Sequence, residues 1–330
     1  MANCPCNFKR KKRSMTFKVS TAKSNSELVL ALDLVCQVFF SRANVTQEIF
    51  RSHKELDWHN FEFFEKDSVV VAKDFNKVVG VIRIVYRVFH IEGEVYKTAG
   101  FTDVCVNDKY RGKGISRIMM EYANNVANTK CDICLLFASK SVDYYYNRYG
   151  FWGVSTFNKV IIKNQIFKSN TCFQSAINQN LDYFDYLYNK KYSNLNGFME
   201  RTAKYWGYIL EKCQQLKIKF KAIVVNNRVC GYCIYKDNII YEISYNSSVD
   251  IKDILAHFKT YHEVLMEIDE QHYAVSQLNL LDVTLCSRSC IFGGHMIKIL
   301  NTEGDLDVKD TLDFIKVKNK SINFSKFNQF

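Results

Sequence analysis

The residues whose types and spacing best suit chemistry lie between Thr102 and Ser116, in the run Thr-Asp-Val-Cys-Val-Asn-Asp-Lys-Tyr-Arg-Gly-Lys-Gly-Ile-Ser. A β-branched stretch ends at Val106, a short loop carries Arg111, Gly112, Lys113 and Gly114, and Ile115 and Ser116 open a segment with helical spacing. Backbone N–H groups at a helix start have no intrahelical partner, and with the helix dipole they form a site for an anion. Small residues there let a phosphate approach, so the loop reads as a pyrophosphate cradle, although a strand, a Gly-bearing turn and a helix also occur as plain scaffold. The run has neither the Gly-x-Gly-x-x-Gly of a dinucleotide fold nor the Gly-Lys-Ser/Thr ending of a P-loop.

The surrounding elements must present that loop. Residues 26–40 read as a buried helix with Ser26 as its N-cap, and 44–53 as a second, shorter one. Stretches 68–73, 78–89 and 95–106 are β-branched and aromatic, separated by turn material, and predict an antiparallel meander. Ile115, Ile118, Met119, Tyr122, Ala123 and Val126 then recur at helical spacing. A strand at 131–138, a short helix at 142–148 and a strand at 152–162 complete the first half. The order predicts an α/β (α+β) fold, a mixed and mostly antiparallel sheet covered by helices.

At Arg111, Gly114 and Ser116 the sequence resembles the GNAT superfamily of acyl-CoA-dependent N-acyltransferases, whose signature after the fourth strand is Arg/Gln-x-x-Gly-x-Gly/Ala. Ser116 stands where Gly or Ala is usual. After the fifth strand, Tyr145-Tyr146-Asn147-Arg148-Tyr149-Gly150-Phe151 is similar to the family's aromatic-Tyr-x-x-x-Gly-Phe. The resemblance covers about residues 15–163. It implies acetyl-CoA as acyl donor and a binding set of Val104, Cys105 and Val106 on a splayed strand, with Arg111, Gly112, Lys113, Gly114, Ile115 and Ser116 at the phosphates. It also implies that the Tyr146 hydroxyl protonates the departing thiolate, as an acid of high pKa can. Aromatic packing is the competing use of that ring. Asp103 and His90 are the polar residues on or near the central strands that could act as general base, each also able simply to hydrogen-bond a loop; water is the remaining choice.

Residues 164–180 are polar and weakly patterned, and the sequence beyond them partly repeats the first half. Asn227-Arg-Val-Cys-Gly231 echoes Asn76-Lys-Val-Val-Gly80. Helices are expected at 181–190, 198–213 and 249–266, and strands across 220–235 and at 239–245 and 274–285. A degenerate internal duplication accounts for this order, giving a basic tail over 1–14, a catalytic domain over 15–165 and a second GNAT-like domain over 178–330. The second half resembles the silent repeat of tandem enzymes of the enhanced-intracellular-survival type, without evident room for their sterol-carrier-like third domain. In that group a terminal carboxylate can serve as base, a parallel that falls on Phe330. The second half has neither Arg nor a Gly pair after residue 245, so no cofactor is expected there.

Composition narrows the function further. The 330 residues carry a net charge of +11, but five of the cations form the run 9–13. The body is therefore mildly basic, and the tail is the one segment suited to a polyanion. No stretch is apolar for long enough to act as a secretory signal or cross a bilayer, which makes a cytoplasmic protein with no membrane or nucleic-acid partner the expectation. The 12 cysteines are expected as thiols. The odd spacing of Cys131/Cys134 and of Cys230/Cys233 would point their side chains to opposite faces of a regular strand, and His257 and His262 are wrongly spaced for one helical face, so no metal is expected.

The expected function is transfer of an acetyl group from acetyl-CoA to a primary amine of a small molecule, an aminosugar or polyamine. Phe61, Phe63 and Phe64 are candidates to line its pocket. Alternatives are a protein or peptide N-acetyltransferase and, in another class, a non-enzymatic acyl-CoA sensor or polyanion-binding protein.

Overall fold

The computed structural model describes residues 17–43, 45–59, 64–65, 68–138, 144–154, 156–163, 167–177, 179–269, 271–279, 281, 283–289 and 294–300, with Thr311 and Ile322. The basic run 9–13, Phe61, Phe63, the start of the helix expected at 142 and Phe330 lie outside them.

The chain opens with β1 (Lys18–Thr21) and α1 (Asn25–Phe39), whose N-cap is Ser24, its hydroxyl accepting from the Glu27 N–H at 3.2 Å. The cap thus falls two residues before the expected Ser26. The second helix, α2 (Gln47–His59), runs a turn and a half past its expected end because Trp58 is buried on its inner face. The meander comes next, as β2 (Val69–Asp74), β3 (Lys77–Ile91) and β4 (Glu94–Val106), all antiparallel. Then come α3 (Ile115–Asn128), β5 (Ile133–Ala138), a 3-10 turn over Tyr146–Tyr149, and β6 (Trp152–Gly153). One face of α3, Ile115, Met119, Met120, Ala123 and Ala127, is buried in a core shared with Val70, Ile82, Phe101, Leu136 and Phe151. Each large apolar side chain so buried contributes on the order of 1.5–3 kcal/mol.

The strand expected over 152–162 divides at Val154. Its second part, β7 (Thr156–Lys163), belongs to the other sheet. That sheet is built on β8 (Cys172–Ser175), α4 (Leu181–Tyr192), α5 (Ala203–Gln215), β9 (Lys219–Val225), β10 (Arg228–Lys236), β11 (Ile239–Tyr245) and α6 (Ile251–Leu255). The long helix expected over 249–266 stops after α6 and one 3-10 turn. Its remainder is a strand, β12 (Glu263–Asp269), where Val264, Met266 and Ile268 are buried at a two-residue period. Conversely, the strand expected over 274–285 begins as α7 (Ala274–Leu278), whose Ala274 and Leu278 are buried at helical spacing, before β13 (Val283–Ser289) and β14 (Gly294–Ile299).

The two seven-stranded sheets have the orders β1-β2-β3-β4-β5-β14-β6 and β13-β7-β12-β11-β10-β9-β8. Each contains an antiparallel meander and one parallel pair, β4 with β5 and β11 with β12. The strand beside each parallel pair comes from the other half of the chain: β14 lies on β5, and β7 on β12. The sheets therefore do not divide at the boundary expected near residue 165.

Candidate active site

Parallel pairing of β4 with β5 runs from Thr98↔Ile133 to Phe101↔Leu136 and stops there, although β4 continues to Val106 and β5 to Ala138. The cause is a bulge. On the other side of β4, Thr102 pairs with Arg83 and Cys105 with Val81, leaving Asp103 and Val104 opposite Ile82 alone, and Asp103 takes φ 53°. An extra residue kinks a strand and increases its twist. Residues 102–106 thus diverge from β5 and leave a slot between the two strands.

The slot leads to the loop before α3. Gly112 (φ 75°) and Gly114 (φ 79°) are both left-handed, and Gly114 is the N-cap of α3. A Cβ at either position would meet nothing within 4 Å. It is the backbone conformation and not crowding that calls for glycine, and the space around both is open, as a cradle for a pyrophosphate requires. Arg111 is exposed and ion-paired with Asp108 at 2.7 Å, and Lys113 Nζ lies 4.6 Å from the Tyr110 ring centre. Both cations thus lie where an incoming phosphate can recruit them. Ile115 is buried and anchors the helix, while Val104 and Val106 pack against the core beneath α3.

Tyr146 is buried in the same cluster as Phe101, Leu136 and Ala138, the residues where the strands part, with Tyr145 edge-on at 4.9 Å. Burial pushes its phenol up, with Tyr145 and Cys105 as titratable neighbours adding to the shift. The hydroxyl therefore stays protonated at any working pH. Tyr145 and Tyr149 instead share a hydrogen bond of 3.4 Å.

Asp103 and His90, the two base candidates, have different fates. Asp103, its side chain only 2% exposed, accepts from Lys54 Nζ at 2.6 Å, Trp58 Nε1 at 2.9 Å and Arg83 Nε at 3.2 Å. Burial opposes its ionisation, but Lys54 and Arg83 outweigh burial and hold the carboxyl below its usual range. A carboxylate so engaged is a weak proton acceptor. His90 lies at the far end of the β3–β4 hairpin, opposite Val95, where it contacts Glu200 at 3.2 Å and Phe198. It is remote from the slot.

Sequence reasoning passed over Lys54, Trp58 and Arg83, which hold Asp103, and His295 on β14. His295 is buried beside Phe137, on the face of the first sheet away from α3. Phe64 packs against the α1 side of the core. Among the described residues no group of three or more His, Cys, Asp or Glu could hold a metal, and no helix is long and apolar enough to cross a membrane.

In the second sheet the equivalent parallel pair separates after Ile240↔Met266, while β11 runs on to Tyr245. Here the strand ends border a cavity of about 440 Å³ lined by Lys191, Tyr245, Asp250, Asp253, Tyr273 and Gln277, several of them bonded to one another. The Tyr273 hydroxyl accepts from the Tyr245 N–H at 3.1 Å, Gln277 Oε1 accepts from the Tyr245 hydroxyl at 2.6 Å and from the Ile251 N–H at 3.1 Å, and Asp250 and Asp253 form a capping box on α6.

A bulged strand that parts from its parallel neighbour and leads to a glycine-bearing loop at a helix start is the arrangement expected of the N-acyltransferase fold. The family profile described as "Acetyltransferase (GNAT) domain" matches residues 20–155. This part of the chain is a GNAT acetyltransferase domain, and the protein is an acetyl-transferring enzyme. In structure the chain is similar to a GCN5-related N-acetyltransferase from Anabaena variabilis (TM-score 0.63, 17% identity, covering 87% of this chain and 73% of that one). It is also similar to a GCN5-related N-acetyltransferase from Kribbella flavida (0.61, 13%, 86% and 72%) and to Eis1 from Mycobacterium abscessus (0.60, 13%, 87% and 74%). At these identities the likeness is one of fold, and it spans both sheets. No curated protein matches the chain in sequence.

Proposed function

We propose that the chain transfers an acetyl group from acetyl-CoA to a primary amine of a small molecule, and that the slot between β4 and β5 holds the donor. The observation that carries this reading is the parting of β4 from β5 after Phe101, aimed at the open glycine loop and flanked by Tyr146. Backbone N–H groups at Gly114, Ile115 and Ser116 would meet the pyrophosphate, assisted by Arg111 and Lys113. Backbone of residues 104–106 on the side no longer paired with β5 would align the pantetheine arm and the thioester carbonyl, where donors aimed at the developing oxyanion lower the barrier.

The amine nitrogen forms its bond to the carbonyl carbon and the C–S bond breaks. The Tyr146 hydroxyl gives its proton to the departing sulfur and recovers one from the proton the amine releases through water. Asp103, already held by three donors, serves to fix the bulge, and water is left as the proton acceptor. The donor is assigned to the first repeat alone, since the second has neither the arginine nor the glycine pair of that loop after Tyr245.

The test is a panel of aminosugars, polyamines and peptides, each assayed by free-thiol release from acetyl-CoA. Turnover of a small amine supports the reading. Turnover of peptides alone would move the acceptor to the protein class, and donor binding without transfer to any acceptor would make the chain an acyl-CoA sensor.

A further inference from the structure

Two buried carboxylates, Asp103 inside the first half and Asp57 at its contact with the second, share one lysine. Lys54 Nζ is 2.6 Å from Asp103 Oδ1, at the bulge of β4, and 3.9 Å from Asp57 Oδ2, one turn further along α2. Asp57 is in turn held from the second half. The Tyr208 hydroxyl donates to its Oδ1, Lys212 Nζ lies 3.2 Å from the same oxygen, and Lys212 Nζ also donates to the Tyr208 oxygen at 2.8 Å. Arg83 ties the two carboxylates' surroundings together, donating from Nε to Asp103 and from Nη1 to the Asp57 carbonyl at 2.8 Å. The carboxylates of Asp57 and Asp103 are only 9% and 2% exposed, so neither can replace a lost partner with bulk water.

We propose that Tyr208 and Lys212 of α5 are positioning residues for the acyl site of the first half: by satisfying Asp57 they leave Lys54 to Asp103, and so keep the β4 bulge in the conformation that opens the slot. The inference rests on the reading of that slot as the donor site. The physical cause is competition for one cation. A buried carboxylate deprived of its partners is costly, and the cation at hand for Asp57 to recruit is Lys54, which would have to leave Asp103. Asp103 holds a left-handed φ that a non-glycine residue keeps only when its surroundings enforce it. In the intact network His53, 3.6 Å from Asp57, is uncharged at neutral pH, because burial depresses its pKa to about 4 and Lys212 adds to the depression. The second half thereby acts on the chemistry of the first through the contacts that run from α5 by way of Asp57 and Lys54 to Asp103.

The test compares Tyr208→Phe, Lys212→Met and their combination in the full chain, with Lys212→Arg as the conservative variant. Acetyl-CoA affinity is read by calorimetry, and turnover on an amine that the wild-type protein accepts. The combined variant is expected to lose 10- to 100-fold in turnover and several-fold in acetyl-CoA affinity, with the KM for the amine moving less than threefold, and Lys212→Arg is expected to keep most of both. Tyr192→Phe removes a buried hydroxyl of the second half that donates to the Ile243 carbonyl at 2.7 Å, away from this network, and serves as the control for stability alone. Wild-type-like turnover and affinity in a folded combined variant would overturn the inference, as would an equal kinetic loss in Tyr192→Phe. Wild-type protein that fails to bind acetyl-CoA would overturn the donor-site reading itself, a result distinct from either.

Discussion

Replacing Tyr146 with Phe removes one oxygen and leaves the ring. The ring packs among Phe101, Ala138 and Phe151, and Phe keeps those contacts, so the fold should change by less than about 1 kcal/mol, the net worth of an ordinary buried hydrogen bond. If the hydroxyl protonates the departing thiolate, turnover should fall by roughly 10²- to 10⁴-fold, the contribution of a positioned acid, equivalent to about 2.7–5.5 kcal/mol in the barrier. Acetyl-CoA affinity, which the proposed donor site assigns mainly to the loop at Gly112–Gly114 and the backbone of β4, should hold within about threefold. Because burial raises this phenol's pKa, the activity should show no decline from its ionisation on the alkaline side up to its usual value near pH 10. The assay is free-thiol release under saturating donor, paired with calorimetric binding and a thermal melt of the same preparation. Tyr145→Phe and Tyr149→Phe break only the hydrogen bond that those two share, and should stay within severalfold of wild type. Near-normal turnover in a folded Tyr146→Phe variant would refute the acid role and leave the ring as packing.

Gly114→Glu should abolish acetyl-CoA binding, by forcing a side chain onto a left-handed backbone and placing a carboxylate at the phosphates; calorimetry on the wild-type chain should give one site, and two equivalent sites would show that the second repeat is not silent. Burial depresses the pKa of His53 and His272 to about 4, below the usual 6.5, so both are neutral in the fold and neither costs stability above pH 6.5. As pH falls from 6.5 to 4 the unfolded chain takes up the protons first, and stability should drop by roughly 3 kcal/mol for each histidine, measured by denaturant melts across that range. Arg201→Met should destabilise the protein by about 3–5 kcal/mol, because Glu242, hydrogen-bonded to it at 2.7 and 2.8 Å and to the Tyr232 hydroxyl, would be left as a buried charge; a change under about 1 kcal/mol in denaturant melts would contradict this.

Much of the first half is legible in its residues. The meander, the α3 stripe and the glycine loop have periodicities and turn residues that local geometry enforces, and the structure has them within a few residues of where the sequence places them. The second half is harder to read because its helices and strands are short. Residues 249–266 hold apolar residues at spacings compatible with either period, and only the pairing of β12 with β7 and β11 decides the matter. The break at Val154 is marked locally only by Gly153, and what separates β6 from β7 is their partners, β14 for the one and β12 with β13 for the other. The site shows the same division. Gly112, Gly114 and Tyr146 lie in local motifs, whereas the environment of Asp103 is assembled from Lys54, Trp58 and Arg83 on two other elements. No spacing rule links those three, so Asp103 reads as an available base until its neighbours are seen.

The traded strands, β7 and β14, have a consequence for how this protein can be made and how it could have arisen. Cutting the polypeptide near residue 165 would remove β14 from between β5 and β6, and β7 from between β12 and β13, leaving each fragment with a split sheet and raw, adhesive edges. Neither fragment is an independent folding unit, so the whole chain should melt in one cooperative step and a truncated catalytic half should aggregate. The first sheet cannot close until β14, from the second half of the chain, arrives to lie on β5. Such an arrangement would follow if two copies of a one-sheet ancestor, paired by exchanging strands, became joined in one chain: the symmetry of the pair would become covalent, and each sheet would depend on the other half for its completion.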